Sequence, residues 1–455
     1  MTVHQGNLRN LIFVAFAVLL AGAALLSISG LTVTWGDRIP QENLQADYWA
    51  AVICALLIGM SIFAWPVRND EKPALVLAWF AKAIVVLIVM LPYEWHYELD
   101  CFGYFAWSRV PAPALENGDF PQGRELVIAI ARFVDRIVDS YHTEKLIFAL
   151  FGFVAVYLFY RAGMALSGRD SEPRALLALA LFPSIIFWSS ILGKDPIVFL
   201  GMGLYAWGVA WWSRSHRFRY LLAIGAGVFL ASAVRSWMGI ILLLPLLAFV
   251  LRGARTMFSK VVLAGLGCAA FFLLLQRFAE GMGIASTGDI PAVTDYIARS
   301  WSYGGSGHEI ATEFTSIGMM LAFMPAGIIT VLFRPLPGEV MNMFGLLSGL
   351  ENLFLVVLAF RTLRRLMTPA GRAAIRGDAV VYWGVLLIIT WSSIYGFVSY
   401  QNLGASVRFR LSILPIVLGL HWYIAARVRQ MALKTRVTRA VPVVALPVPA
   451  MGTSQ

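Results

Sequence analysis

The sequence predicts an all-α, polytopic membrane protein with about 12–13 transmembrane helices. Of its 455 residues, 59% are hydrophobic and only 13% are charged. Apolar runs close to the roughly 20 residues that a spanning helix needs recur from residue 11 almost to the C-terminus. A membrane-spanning β-barrel would instead show short segments of alternating apolar and polar residues.

The formal net charge of +11 could indicate a nucleic-acid partner, but its distribution favours a membrane topology. Most arginines and lysines lie in short loops between apolar runs, as cytoplasmic loops of membrane proteins do. The three cysteines lie far apart, so they form neither a disulfide framework nor a metal knuckle. The first apolar run, residues 11–29, is long for a signal-peptide core, and we interpret it as a retained anchor.

We expect about twelve crossings and one partial insertion. One crossing follows Pro196, and two form a hairpin that is broken at Arg235. The other nine predicted spans are residues 11–29, 48–65, 74–92, 146–166, 175–188, 261–276, 343–360, 379–397 and 411–426. A full crossing by residues 317–333 would place the arginine-rich loop after residue 360 outside, so that run is predicted to be re-entrant or to lie at the surface.

These spans divide the chain into four regions. Residues 1–73 hold two N-terminal spans, and residues 74–251 form a second group with an outer loop at 93–145. Residues 252–427 form a third group with an outer loop at 277–313. The segment 428–455 is a basic cytoplasmic tail.

The first large outer loop contains an amphipathic pattern. Leu126, Ile130, Phe133, Val134 and Ile137 recur at helical spacing opposite charged residues. The pattern predicts a helix that lies on the membrane or one that packs on the rest of the protein.

An acidic stretch follows the third predicted span. Glu94, His96, Glu98 and Asp100 lie within residues 93–104, which the topology places outside the cytoplasm. Carboxylates at the membrane surface can accept a proton or hold a metal ion beside a lipid-linked substrate. The alternative is a solvated loop without a role.

Further charged residues are predicted on the same side. They are Lys194, Asp195, Arg235, Arg408 and Arg410. Arginine binds phosphate through two parallel hydrogen bonds, so this set suits a phosphate-containing substrate. Alternatively, the lysine and the aspartate pair with each other, and the arginines anchor helix ends at the lipid headgroups.

Several short motifs occur in a recognisable order between residues 74 and 251. They are the Asp-x-x-x-Tyr of Asp100 to Tyr104, a span ending in Leu-Phe-Tyr-Arg at 158–161, Phe182-Pro183 followed by Trp-Ser-Ser at 188–190, the Lys194-Asp195 turn, and Arg235. In this region the chain resembles the GT-C superfamily of membrane glycosyltransferases, in particular polyprenyl-phosphate-dependent mannosyltransferases.

The resemblance implies inverting transfer of a sugar from a polyprenyl phosphate to a cell-envelope glycan, lipid or protein. The reaction would take place at the outer face of the cytoplasmic membrane. Asp100 would be the catalytic base, and Asp195 a second acid for a metal or a phosphate. Together with the residues that the topology places on the outer side, the candidate substrate-binding residues are Glu98, His96, Tyr104, Lys194, Asp195, Arg235, Arg408 and Arg410. A divalent metal is the one cofactor left open, with Asp100 and Asp195 as its candidate ligands. Cys101 stands where many members have a second acid, which weakens the case for a metal.

Other functions remain open on the sequence. A polysaccharide polymerase or ligase would also use outer arginines, but with a diphosphate-linked oligosaccharide as donor. A transporter should place polar groups in mid-membrane and show two similar halves, whereas only Lys82 and Glu351 clearly lie inside apolar runs and no internal repeat is visible. A purely structural subunit would not need charged residues that converge on one face.

Overall fold

The computed structural model describes residues 2–28, 30–39, 41–97, 99–110, 121–253, 256–300, 302, 307 and 313–440. Within these ranges every secondary-structure element longer than a single residue is a helix. The helices are α1 (Thr2–Ile28), α2 (Leu31–Trp35), α3 (Leu44–Ser61), α4 (Lys72–Ile84), α5 (Met90–His96), α6 (Asp100–Arg109), α7 (Arg124–Asp135), α8 (Tyr141–Ser167), α9 (Pro173–Ala180), α10 (Pro183–Trp188), α11 (Lys194–Ser215), α12 (Phe218–Val234), α13 (Trp237–Gly253), α14 (Met257–Met282), α15 (Ile290–Ser300), α16 (Ile317–Phe333), α17 (Met343–Leu366), α18 (Pro369–Ile375), α19 (Ala379–Ser399), α20 (Leu403–Arg410) and α21 (Leu414–Ala440).

The described residues contain six helices that are long and apolar enough to cross a membrane, or seven if α20 and α21, which meet at 60°, form one bent span. The six are Leu44–Ala64, Lys72–His96, Tyr141–Ser167, Met257–Met282, Met343–Leu366 and Ala379–Ser399. Four shorter apolar helices accompany them: Ile12–Leu26, Phe218–Val234, Trp237–Gly253 and Ile317–Phe333. The described residues thus form a helical, multi-pass membrane protein, and the larger count of about twelve crossings stays a prediction.

The centre of the fold is α11, which packs between α8 and α12. Its glycines allow this close packing, because a Cβ on Gly201 would lie 2.9 Å from the carbonyl oxygen of Gly227 in α12. On the other side of the same helix, a Cβ on Gly203 would lie 3.1 Å from the backbone of Ala155 in α8. Helices α13, α16 and α21 pack around α19, and α1 and α3 pack on α4.

The run 175–188, predicted as one span, is broken in the structure. Helix α9 ends at Ala180, and α10 begins at Pro183. Proline lacks the N–H that would continue the ladder and clashes with the preceding turn, so it begins a new helix here. The two short pieces together lead the chain to the turn before α11.

The third predicted span also departs from a regular α-helix. A π-helical turn over Val85–Val89 joins α4 to α5, so the helix continues to His96. A π-turn accommodates one additional residue, which rotates everything that follows it.

The predicted outer loops contain helices. The segment between the predicted spans 379–397 and 411–426 contains α20, and the predicted outer loop 277–313 contains α15. In the first loop α7 packs on α6 and buries Leu126 and Val134, while Phe133 and Ile137 are exposed. Contact of α7 with a membrane stays a prediction.

Candidate functional site

A buried aspartate at the start of α11 binds two arginines from distant parts of the chain. One carboxylate oxygen of Asp195 accepts a hydrogen bond from Nη2 of Arg235 at 2.6 Å. The other accepts one from Nε of Arg408 at 2.5 Å. The two arginines follow Asp195 by 40 and 213 residues. A single carboxylate therefore joins the ends of α11 and α12 to α20.

Three side chains contact Arg235 and hold it in place. It lies in an extended conformation at the break between α12 and α13. Its Nη1 donates to the hydroxyl of Tyr395 in α19 at 3.3 Å. Its guanidinium lies 4.5 Å from the centre of the Phe409 ring, which adds a cation–π contact. The arginine is buried, so its role in the structure is to hold Asp195 and α19 together.

Arg408 is the more accessible of the two arginines. Its side chain is 21% exposed, against 6% for Arg235. Its guanidinium carbon lies 6.0 Å from the ring centre of Trp188, at the end of α10. Since Nε is used by Asp195, the terminal nitrogens of the fork are the atoms best placed to meet an external anion.

Asp100, Tyr104 and Lys194 lie around the same turn. A Cβ placed on Gly193 would lie 3.7 Å from the Tyr104 ring and 4.0 Å from Nη2 of Arg408, so both side chains flank this glycine. The charge of Asp100, an exposed residue in the first turn of α6, acts on Arg408, Lys194 and Tyr104. We call Asp100, Tyr104, Lys194, Asp195, Arg235 and Arg408 the Asp195 cluster.

Tyr104 is held in its protonated form in this cluster. Burial of its ring and the nearby negative charge of Asp100 raise the pKa of the Tyr104 hydroxyl, although Arg408 acts in the opposite direction. At neutral pH the group is therefore a neutral O–H that can donate a hydrogen bond.

Aromatic side chains that the sequence reasoning missed adjoin Arg408. The ring of Tyr93 lies 5.0 Å from Phe187, 4.7 Å from Phe344 and 5.9 Å from Trp188. The ring of Tyr97 packs against Tyr93 in a tilted arrangement, with 4.7 Å between the ring centres. These aromatic residues come from α5, α10 and α17 and from the residue after α5, so only the folded chain brings them together. In the sequence, the closely spaced aromatic pairs 93/97 and 187/188 are the signal that could have indicated them.

Arg410 is predicted to join this site, but the structure places its side chain elsewhere. It is buried and donates to the carbonyl of Leu332 at 2.7 Å and to the side chain of Asn352. Two residues apart in a helix are about 200° apart around its axis, so Arg410 faces away from Arg408. Beside it, Glu351 accepts hydrogen bonds from the backbone and hydroxyl of Ser184 at 2.8 and 2.6 Å.

Glu94 and His96 of the acidic stretch do not join the cluster. Glu94 is buried and accepts from the hydroxyl of Tyr141 at 2.9 Å and from Lys145 at 2.8 Å, which pins α5 to α8. His96 is exposed and packs against Tyr97, with a distance of 4.7 Å between ring centres. Glu98 lies outside the described residues.

The candidate metal ligands do not suit a metal. Among the residues with described positions, no group of three or more His, Cys, Asp or Glu side chains could hold an ion. Both oxygens of Asp195 are bound by arginines, so a cation there would have to displace one of them against its charge. Asp100 alone provides too few ligands. We therefore derive no chemical step from a metal.

Fold and site together define a multi-pass helical membrane protein with a cluster of ionised residues at the helix ends of one side. Comparisons with protein-family models, curated proteins and solved structures give no match.

Proposed function

We propose that this chain is a membrane glycosyltransferase of the GT-C type, which transfers a sugar from a polyprenyl phosphate to a cell-envelope acceptor. The observation that carries the proposal is the Asp195 cluster, in which an exposed carboxylate lies within the electrostatic reach of a partly exposed arginine. Glycosyl transfer of this type requires a base for the acceptor hydroxyl and a cation for the departing phosphate.

The charge of the cluster supports a donor with a single phosphate. Its ionised members are three cations and two carboxylates, so its net charge is one positive. They are Lys194, Arg235, Arg408, Asp100 and Asp195. A phosphodiester between sugar and polyprenol carries one negative charge and would neutralise the cluster, whereas the diphosphate used by a polymerase or ligase carries two.

The residues have distinct roles in the proposed reaction. The acceptor hydroxyl attacks the anomeric carbon, its proton passes to Asp100, and the bond from that carbon to the phosphate oxygen breaks. The electron pair stays on the phosphate, where Arg408 and Lys194 offset the charge. Tyr104 donates a hydrogen bond to the substrate. Asp195 is a positioning residue that holds Arg408, and Arg235 in turn holds Asp195.

The position of the cluster supports an enzyme over a transporter. Lys194 and Asp195 begin α11, Asp100 begins α6, and Arg235 directly follows α12. These are helix ends, where a lipid-linked head group meets water, rather than the middle of the bilayer. In this proposal the cluster faces outward from the cytoplasmic membrane, because the arginine-rich turns lie at the opposite ends of α8, α11 and α17.

Transfer of radiolabelled sugar tests the proposal. Purified protein in lipid nanodiscs is incubated with a panel of monophosphate- and diphosphate-linked polyprenyl sugars and a cell-envelope extract. We expect transfer from a monophosphate donor, and a loss of about 10²–10⁴-fold in Asp100→Asn, because the acceptor then lacks its general base. We expect kcat to fall while the KM for the donor changes little.

Asp70→Asn is the matched control for this test. It makes the same chemical change at an exposed residue of the turn between α3 and α4, far from the cluster, and should keep full activity. Undiminished transfer by a folded Asp100→Asn protein would remove Asp100 from the mechanism. Transfer from diphosphate donors alone would indicate a polymerase or ligase instead. No transfer from any donor, in an assay validated with a known enzyme, would contradict the proposal that the chain is a glycosyltransferase.

A further inference from the structure

A second feature of the fold lies at the end of the helices opposite the Asp195 cluster. A cavity of about 620 Å³ opens between α8, α9, α11, α19 and α21. This volume lies within the range of about 300–1,000 Å³ that is typical of small-molecule sites. Its walls are mainly apolar, with side chains such as Phe159, Trp383 and Ile416. No residue of the Asp195 cluster lines it.

Small residues give the cavity its width. Gly163 in α8 and Gly419 in α21 line it, and a Cβ on either would meet no atom within 4 Å. Several alanines of α8, α9 and α21 also line the wall. The space between these helices is therefore available to a flexible apolar chain.

One end of the cavity is basic. Arg169, Arg365 and Arg429 line it, and the one carboxylate beside them, Glu172, is paired with Arg169 at 3.2 Å. The other two arginines form no ion pair with any carboxylate of known position. Arg365 is oriented by a hydrogen bond of 3.3 Å from its Nη1 to Nε2 of His421. The cavity thus has an apolar body and two cations without counter-charges at its end.

We propose that this cavity binds a membrane phospholipid with an anionic head group. One acyl chain fills the apolar body, and the phosphate meets Arg365 and Arg429. A zwitterionic lipid carries a cation next to its phosphate, so its head group gains less binding energy from the basic end of the cavity. Charge complementarity therefore selects the anionic lipid. The site is separate from the proposed catalytic one and does not depend on it.

Photo-crosslinking tests the site directly. The full-length protein is placed in nanodiscs with phosphatidylglycerol that carries a diazirine on one acyl chain, irradiated and digested. We expect labelled peptides from α8 and α21. Replacing one basic residue near a membrane surface weakens anionic-lipid binding about fivefold, so Arg365→Gln and Arg429→Gln should each lower labelling by about that factor.

Two controls separate the site from general contact with the bilayer. Gly163→Leu places a side chain in the cavity from a position where a Cβ meets no atom within 4 Å, and it should abolish labelling. Gly225→Leu, whose Cβ also meets no atom within 4 Å but which lies in α12 outside the cavity, should not change it. Arg376→Gln removes an exposed arginine of the same side that does not line the cavity and should have no effect.

Three results would overturn the proposal. The first is equal labelling by the corresponding phosphatidylcholine probe. The second is labelling that Gly163→Leu or the two cavity arginine substitutions leave unchanged in folded protein. The third is displacement of the probe by polyprenyl phosphate at concentrations where unlabelled phosphatidylglycerol has no effect, which would assign the cavity to the lipid carrier instead.

Discussion

Arg408 and Arg410 are two residues apart, yet they have different environments. Arg408 shares Asp195 with Arg235 and keeps part of its fork exposed. Arg410 is buried and holds the backbone of Leu332. The sequence places both arginines at one end of a span. Their side chains lie on different faces because α20 is a helix, and this helix could not be predicted from the apolar pattern.

Substitution of each arginine should therefore have a different effect. Arg410→Met leaves buried acceptors unsatisfied and should lower the free energy of unfolding by about 1–3 kcal/mol. Arg408→Gln leaves Asp195 paired with Arg235, so we expect a smaller loss of stability and a loss of sugar transfer. Thermal unfolding in detergent and the transfer assay measure the two effects. A stable but inactive Arg410→Met protein would return Arg410 to the site.

At the scale of elements, the contact between α11 and α12 depends on glycines. A Cβ on Gly227 would lie 2.5 Å from the carbonyl oxygen of Gly201 and 2.6 Å from the backbone nitrogen of Tyr205. Gly225, two residues earlier in α12, faces open space. This contact positions Asp195 and Arg235, which lie at the ends of these two helices.

Gly227→Ala should push the two helices apart and lower the free energy of unfolding by about 1–3 kcal/mol, the usual cost of overpacking. Gly225→Ala is the matched control and should be neutral or stabilise by up to about 1 kcal/mol, because alanine favours the helix more than glycine does. Thermal unfolding of the two variants in the same detergent measures the difference. Equal melting temperatures would mean that the helices do not approach as closely as described.

The order of apolar helices and the charged turns could be predicted from hydrophobicity and charge alone. The break within the run 175–188 has a sequence signal in Pro183, which begins α10, but the apolar run around it favours a single span. The turn Val85–Val89 has no sequence signal, since it consists of ordinary apolar residues. For the site, residue type and chain position indicated Asp100, Asp195, Arg235 and Arg408, whereas the aromatic neighbours depend on tertiary contacts.

At the scale of the whole molecule, charge differs between the two ends of the helices. Arginines follow α8, α11, α13 and α17, while the Asp195 cluster lies at the other end. Helix α19 joins the two ends, since Asp378 precedes it and Tyr395, near its last turn, contacts Arg235. The positive-inside rule then predicts that the arginine-rich end is cytoplasmic.

Cysteine labelling tests this orientation. In a protein whose three native cysteines are replaced, Gln122→Cys, in an exposed position next to the end of α12, should react in intact cells with a reagent that does not cross the membrane. Ala373→Cys, exposed in α18, should react only after permeabilisation. Reaction of both from the same side would contradict a full crossing by α19, and the reverse pattern would invert the molecule.

The balance of ionised groups around Asp195 has a consequence for turnover. In the proposed reaction the hydroxyl proton moves to Asp100 as the phosphate gains charge, so cluster and products together stay close to neutral. The freed polyprenyl phosphate carries about 1.5–2 negative charges at pH 7, as phosphoserine does. Once exposed Asp100 returns its proton to water, the cluster regains its former charge and holds this dianion less firmly. Dissociation of polyprenyl phosphate is then coupled to proton release from Asp100. The next donor therefore binds a cluster in which Asp100 is ionised again.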